Sequence, residues 1–172
     1  MLIRPMLIPD AHQVAAINVR AWQRAYAGIV NDAFLQAFDS EQREINWRRG
    51  LESQPTLILR FVAEGENDEG ILGYVCGLEN RSKDLLPDCD SELWAIYVDP
   101  ARMRSGVGAA LLGHFSSELK TRGLHRFAVW VLKDNQIGRA FYAKQGGKLS
   151  AAEKEVVIGG QTLVEVSYEF EL

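Results

Sequence analysis

The sequence predicts an α/β (α+β) fold around one mixed sheet, on three observations. Helical spacing of apolar residues fills the first third of the chain. Strand-length apolar runs separated by turn signals fill the middle. At the centre lies a strand–helix–strand unit, the crossover that joins parallel strands. At 172 residues, 47% hydrophobic and 24% charged, the chain can bury a core without staples, so it is expected to form a single domain over residues 1–172.

The elements follow in order. Residues 2–4 make a short first strand. Asp10 then N-caps a helix with Gln13 three residues on, a capping-box pattern, and Val14, Ile17, Ala21 and Ala25 recur at helical spacing. Gly28 breaks that helix, Asn31 and Asp32 cap a short second one, and a third runs over residues 39–52, ended before Pro55. Residues 56–64 and 71–78 flank the polar turn 65–70 and read as a hairpin. The polar stretch 79–90 contains Pro87 and is a surface loop. Residues 92–99 form a strong strand stopped by Pro100. Residues 106–122 form a long helix with Val107, Leu111, Leu112, Phe115 and Leu119 on one face, ended by Gly123. The almost wholly apolar run 126–132 is a strand buried on both faces. Asp134 or Asn135 caps a helix over 136–145, which Gly146 and Gly147 end. Residues 156–158, the pair Gly159 and Gly160, and residues 163–170 make a closing hairpin.

Charge and composition exclude several function classes. Nineteen Lys plus Arg against 23 Asp plus Glu give a net charge of −4, which lacks the basic stripe of a general nucleic-acid binder. It gives no support to binding an anionic membrane and faintly suits a cationic small substrate. Cys76 and Cys89 are too few for a disulfide scaffold, and with His12, His114 and His125 they show no metal-ligand spacing, so no metal is expected. No apolar stretch approaches the roughly 18–20 residues of a membrane span, and the N-terminus, with Arg4, Pro5, Pro9 and Asp10, offers no signal-peptide core. The expectation is a cytoplasmic protein.

The most informative stretch is Ile96-Tyr97-Val98-Asp99-Pro100-Ala101-Arg102-Met103-Arg104-Ser105-Gly106-Val107-Gly108-Ala109. A strand runs into a loop holding two arginines, and Gly-x-Gly then opens a long helix. The first turn of a helix has free N–H groups and the positive end of the macrodipole. Glycine lets a phosphate approach the backbone, and Arg102 and Arg104 add charge. The same glycines also suit a helix that merely packs tightly. A P-loop would need Gly-x-x-x-x-Gly-Lys-Ser/Thr, which is absent. A Rossmann fingerprint would need a third glycine where position 111 is Leu.

This segment resembles the acetyl-CoA motif Gln/Arg-x-x-Gly-x-Gly/Ala of the GNAT superfamily of acyl-CoA N-acyltransferases, with Met103 where that family has Gln or Arg. A second segment, Asn135-Gln136-Ile137-Gly138-Arg139-Ala140-Phe141-Tyr142-Ala143-Lys144-Gln145-Gly146, is similar to the family's Asn-x-x-Ala-x-x-Phe-Tyr-x-Lys-x-Gly-Phe. Here the Ala is shifted and Gly147 replaces the final Phe. The element order agrees over nearly the whole chain, and residues 22–29 look like a Trp–Tyr–Gly stretch found in some bacterial members.

The resemblance implies a mixed, mostly antiparallel sheet of about six to seven strands flanked by about four to five helices. It implies acetyl-CoA as co-substrate and direct transfer of its acetyl group to a primary amine of a small molecule or peptide. Backbone contacts with the acetyl and pantetheine amides fall to Ile96, Tyr97 and Val98, and those with pyrophosphate to Arg104, Ser105, Gly106, Val107, Gly108 and Ala109. Asn135 meets the pantetheine arm and also suits a plain helix cap. Glu92 is the candidate general base, fourteen residues before Gly106, on a strand whose alternation puts Glu92, Trp94, Ile96 and Val98 on one face. An ordinary solvated glutamate is the commoner fate of such a residue. Tyr142 is the candidate acid for the departing thiolate, or else a packing tyrosine. Trp22 and Tyr26, with Trp47, either wall an amine pocket by cation–π contact or pack as core aromatics. Family members are often dimers, and the closing hairpin suits pairing into a homodimer. A non-catalytic acyl-CoA-binding regulatory module is the alternative, for which Met103 is the reason.

Overall fold

The computed structural model describes residues 1–53, 58–67 and 69–172. Its elements are β1 (Leu2–Pro5), α1 (Ala11–Ala25), α2 (Asp32–Gln36), α3 (Ser40–Ser53), β2 (Leu59–Glu64), β3 (Ile71–Glu79), β4 (Ser91–Val98), α4 (Val107–Thr121), β5 (Arg126–Leu132), α5 (Gln136–Lys144), β6 (Lys148–Ile158) and β7 (Gln161–Glu171). The sheet has seven strands in the order β1-β2-β3-β4-β5-β7-β6. Every neighbouring pair is antiparallel except β4 with β5, the two strands that α4 connects. The expected parallel crossover and mostly antiparallel sheet are therefore present. The expected strand start at Thr56 and the break at Pro55 lie outside the described residues. β6 begins well before the expected residue 156, because its alternation of exposed and half-buried residues extends back to Lys148.

Side-chain alternation splits the sheet into two faces. On β3, Val75 joins Leu111, Phe115 and Leu119 of α4, while Tyr74 turns to Val14 and Ile17 of α1. α5 packs beside α4 through Phe141 and Tyr142. α1 and α3 cover the opposite face, α3 through the partly buried Trp47 and Leu51. β5 is buried on both faces, as its apolar run predicts: Phe127 and Val129 face α4 while Ala128 packs with Leu86 and Cys89.

The expected capping box at Asp10 is not formed. Asp10 accepts instead from the Leu7 backbone (2.8 Å) and pairs with Arg4 (2.7 Å), tying β1 to the entry of α1. Gln13 is drawn away to accept from the Ile71 backbone at 2.8 Å. Asn31 and Asn135 do cap their helices, accepting from Phe34 and Gly138.

Two departures from regular pairing build the site. First, Ala95 pairs with Cys76 but Leu93 with the next residue, Gly77, leaving Trp94 as the extra residue of a β-bulge. Gly77 is what permits this close approach: a Cβ there would lie 2.3 Å from the Glu92 carbonyl oxygen. Second, β4 and β5 pair only from Ser91 with Phe127 to Leu93 with Val129. Beyond that the strands part, and the edge of β4 over residues 94–98 that faces β5 has no ladder partner.

Candidate active site

The loop after β4 sets up an anion site from backbone alone. Pro100–Arg102 form a short 3-10 turn, capped by Asp99 accepting from Ala101. Arg104 then takes φ 64° and Gly106 φ 89°, the left-handed region, which reverses the chain into α4. Intrahelical bonding begins only with Ala110 donating to Gly106 at 3.0 Å. Among the described residues, the N–H groups of Arg104, Ser105, Gly106, Val107, Gly108 and Ala109 therefore have no protein acceptor. This is a run of converging donors at the positive end of a fifteen-residue helix. A Cβ on Gly106 would meet nothing within 4 Å, so the cradle opens outward; at Gly108 it would lie 3.3 Å from Phe141. Arg104 is exposed and without a partner among the described residues. Arg102, expected to add charge here, is instead turned to Glu69 at 3.0 Å. Met103 is exposed at the end of the 3-10 turn, so its side chain takes no donor from the cradle.

Ile96, Tyr97 and Val98, paired with β3, lie on the stretch of β4 whose β5-facing edge is unpaired and which leads from the bulge to this cradle. Asn135, at the start of α5, is buried; its Oδ1 caps Gly138 and its Nδ2 has no partner among the described residues. The helix-cap and ligand-contact readings are thus compatible.

The bulge corrects the expected face of Glu92. Leu93, Ile96 and Val98 share the α4 face, and Ala95 and Tyr97 share the other. Glu92 alternates with Leu93, so it belongs to the face of Ala95 and Tyr97, not that of Ile96 and Val98. It is not a solvated glutamate either: it is 2% exposed. Oε1 accepts from Arg81 at 3.1 Å, while Oε2 is buried with no partner among the described residues. Arg81 also lies 4.3 Å above the Trp94 ring. Glu165 is nearby; burial, with the Glu92 charge adding to it, raises its carboxyl against the pull of Lys154.

Tyr142 is buried among Phe141, Tyr168 and Phe170. Burial pushes its phenol well above the ordinary value, with the Tyr26 phenol adding to the shift. Its hydroxyl has no hydrogen-bond partner among the described residues, and burial keeps it protonated. Tyr26 and Tyr97 share a hydrogen bond of 3.1 Å, and Asn18 donates to Tyr74 at 2.7 Å.

The amine pocket that the sequence offered at Trp22, Tyr26 and Trp47 has a counterpart here, but sequence reasoning missed most of its wall. A cavity of about 390 Å³ opens between α1, α3, β3 and β4, with Trp22, Trp47, Tyr74, Trp94 and Tyr97 in its wall. Arg43, Asn46, Trp47 and Gly50 line it from α3 at i, i+3, i+4 and i+7, a helix face visible in the sequence but mixed in chemistry. Trp22 is in the wall; Tyr26 is not, being engaged with Tyr97. Cys76 reaches the cavity, but burial pushes its thiol, like that of Cys89, up to about 11, which suits neither for nucleophilic attack. His12 pairs with Glu44, and His114 packs edge-on to Phe61. Among the described residues no group of three or more His, Cys, Asp or Glu could hold a metal ion, and no helix is long and apolar enough to cross a membrane.

Comparison with known proteins agrees with this geometry. The chain is 28% identical over 165 residues to the uncharacterized N-acetyltransferase YuaI of Bacillus subtilis (strain 168), covering 95% of this chain and 89% of that one. It is 23% identical over 169 residues to a spermidine N(1)-acetyltransferase of Thermoplasma acidophilum, covering 97% of each. The fold matches the crystal structure of PaiA N-acetyltransferase from Thermoplasma acidophilum in complex with coenzyme A, with a TM-score of 0.73, 20% identity and coverage of 99% and 98%. The model of the Acetyltransferase (GNAT) family matches residues 18–147. That span holds the parted strands, the donor cradle and the Asn135–Tyr142 helix together, and the chain belongs to the GNAT acetyltransferase family.

Proposed function

We propose that this protein is an N-acetyltransferase that moves the acetyl group of acetyl-CoA directly to a primary amine, with both substrates bound together. The observation that carries this is the run of unpartnered N–H groups from Arg104 to Ala109 beside parted strands. A pyrophosphate is the ligand whose oxygens fit such a row of backbone donors. The chain supplies Ile96, Tyr97 and Val98 to orient the pantetheine arm through backbone pairing, with Asn135 Nδ2 as a further donor. Coenzyme A, when bound, supplies an activated acyl group and a good leaving thiol.

Transfer requires the amine to lose a proton, its nitrogen to bond to the acetyl carbon, and the carbon–sulfur bond to break as sulfur takes up a proton. Glu92 is the base in this reading. It does not line the cavity, so in this reading it takes the proton through a chain of water and not by direct contact with the amine. Tyr142 gives its proton to the sulfur, and a buried phenol kept neutral suits that task. Backbone N–H groups around Tyr97 and Val98 hold the developing negative charge on the carbonyl oxygen. The acceptor is a small-molecule or peptide amine in the cavity above β4. The free thiols Cys76 and Cys89 fit a reducing, cytoplasmic setting, and a single domain spans residues 1–172.

Calorimetric titration of acetyl-CoA tests the cradle. Gly106→Asp keeps a residue tolerant of φ 89° while adding a carboxylate to the donor cluster. Gly106→Asn keeps the shape without the charge. Wild type is expected to bind, Gly106→Asn to bind within a few-fold, and Gly106→Asp to lose roughly tenfold or more, about 1.4 kcal/mol. Equal binding by all three, or none by wild type at millimolar ligand, would remove the reading.

A further inference from the structure

The cavity between α1, α3 and β4 carries charge of the opposite sign to the whole chain. Arg43 and Arg60 are in its wall, with the amides of Asn18 and Asn46, and among the described residues no Asp or Glu lines it. The Arg43 guanidinium lies 3.9 Å above the Phe38 ring and 5.9 Å from that of Trp22. It has no carboxylate or carbonyl partner among the described residues. Its donors are therefore held in place by stacking but unspent. Two of the cavity's aromatic faces are also taken: Arg43 lies near Trp22 and Arg81 over Trp94, so the protein's own cations occupy two of the positions a substrate ammonium would seek.

On these observations, and resting on the acetyl-transfer reading above, we propose that the acceptor is a small amine bearing a carboxylate and an apolar body, and not a polyamine. The planar fork of Arg43 takes the carboxylate in bidentate fashion, with Arg60 adding positive potential. Trp22, Trp47 and Tyr74 cover the apolar body. The amine then points to Ala95 and Tyr97, the part of the wall that β4 contributes next to the parted strands. The volume of about 390 Å³ lies at the small end of the roughly 300–1,000 Å³ range of ligand sites. An amino acid or dipeptide fits that size. The net charge of −4, which faintly suited a cationic substrate, is carried on other surfaces.

The test uses matched sets for leucine, methionine, phenylalanine and tryptophan: the free amino acid, its amide, and the amine lacking the carboxyl carbon. Spermidine is added as the polyamine. Binding is read by intrinsic tryptophan fluorescence with coenzyme A present, since three tryptophans line the cavity, and turnover by amine-dependent thiol release. The amide's amine is the more easily deprotonated, so its chemistry biases the comparison against the proposal. In at least one set the free amino acid is expected to exceed both analogues by about tenfold or more in affinity and in kcat/KM. Arg43→Gln is expected to abolish that preference mainly through KM, and Arg43→Lys to restore part of it, with acetyl-CoA binding by calorimetry unchanged in both.

Turnover of spermidine or the uncharged amides at rates equal to or above every amino acid would overturn the proposal and leave the enzyme reading intact. Selective binding of an amino acid without thiol release would support the acceptor class and sink turnover. Preference for the amino acid that survives Arg43→Gln would also overturn it.

Discussion

At the scale of single residues, the proposed mechanism divides its proton transfers between two buried groups. Glu92 is held by Arg81, and its second oxygen has no partner among the described residues. Tyr142 is a phenol that burial keeps protonated. Tyr142→Phe preserves the ring packing against Tyr168 and Phe170 and deletes only the donor. We expect kcat to fall on the order of 100-fold with acetyl-CoA affinity held, as measured by thiol release and calorimetry. Because the folded phenol titrates above its ordinary value, the acid form persists beyond pH about 10, and any alkaline fall in kcat below that pH belongs to another group. Motif and spacing singled out both positions in the sequence, and the structure shows both buried. The face of Glu92 was not legible there, because a bulge is a property of two paired strands and leaves no mark on the alternation of one. Gly147, where the family motif has Phe, also has a physical account: a Cβ there would lie 2.6 Å from the Phe170 ring, so β7 has filled the space.

At the scale of elements, β3 and β4 determine the geometry together. Gly77 gives room for the Glu92 carbonyl and Leu93 to approach, and the bulge at Trp94 turns the following residues toward the site. Gly77→Ala would place a methyl 2.3 Å from backbone and about 3.0 Å from Phe115 of α4. Neither neighbour is a flexible side-chain end. We expect a loss of about 1–3 kcal/mol in urea denaturation, with acetylation lost more steeply than stability because Glu92 and Trp94 shift with the bulge. Helix boundaries were legible to within a residue or two, since caps and breakers such as Asn135 and Gly123 are local signals. The capping box at Asp10 was misread because Arg4 and the Leu7 N–H, outside the helix, take Asp10, and the distant Ile71 backbone takes Gln13.

At the scale of the whole molecule, the buried phenols and carboxylates bound the pH range of stability. Burial raises the folded-state titration of Tyr26, Tyr74, Tyr97 and Tyr142. A group raised in this way contributes stability that is full below its unfolded value, about 10 for tyrosine, and lost as pH rises through the folded value. At the acid end, burial pushes Asp10 up, but the Arg4 hydrogen bonds and the Leu7 N–H outweigh it and leave it lowered. That contribution is present above the unfolded value near 3.9 and is lost as pH falls through the folded one. Thermal melts across pH should therefore show Tm flat through neutrality, falling above pH about 10 and below about 4. Replacing Asp10 with Asn should make the acid limb shallower and leave the alkaline limb in place, the rest of the acid limb coming from other lowered carboxyls such as Glu64 and Asp90.

The sequence by itself determined the family, the element order, the parallel crossover and the donor cradle, because each rests on residues close together in the chain. Glycine at a helix entry, a cap three residues from its acceptor, and an apolar run of strand length all act locally. Only the tertiary structure decided which face carries Glu92, that Arg102 is spent on Glu69, and that Arg43 of α3 stands over a cavity floored by β4. Those facts depend on which strands pair and which helices cross them. The local charge of a pocket is set by the few side chains that meet there, which the net charge of the chain does not reveal.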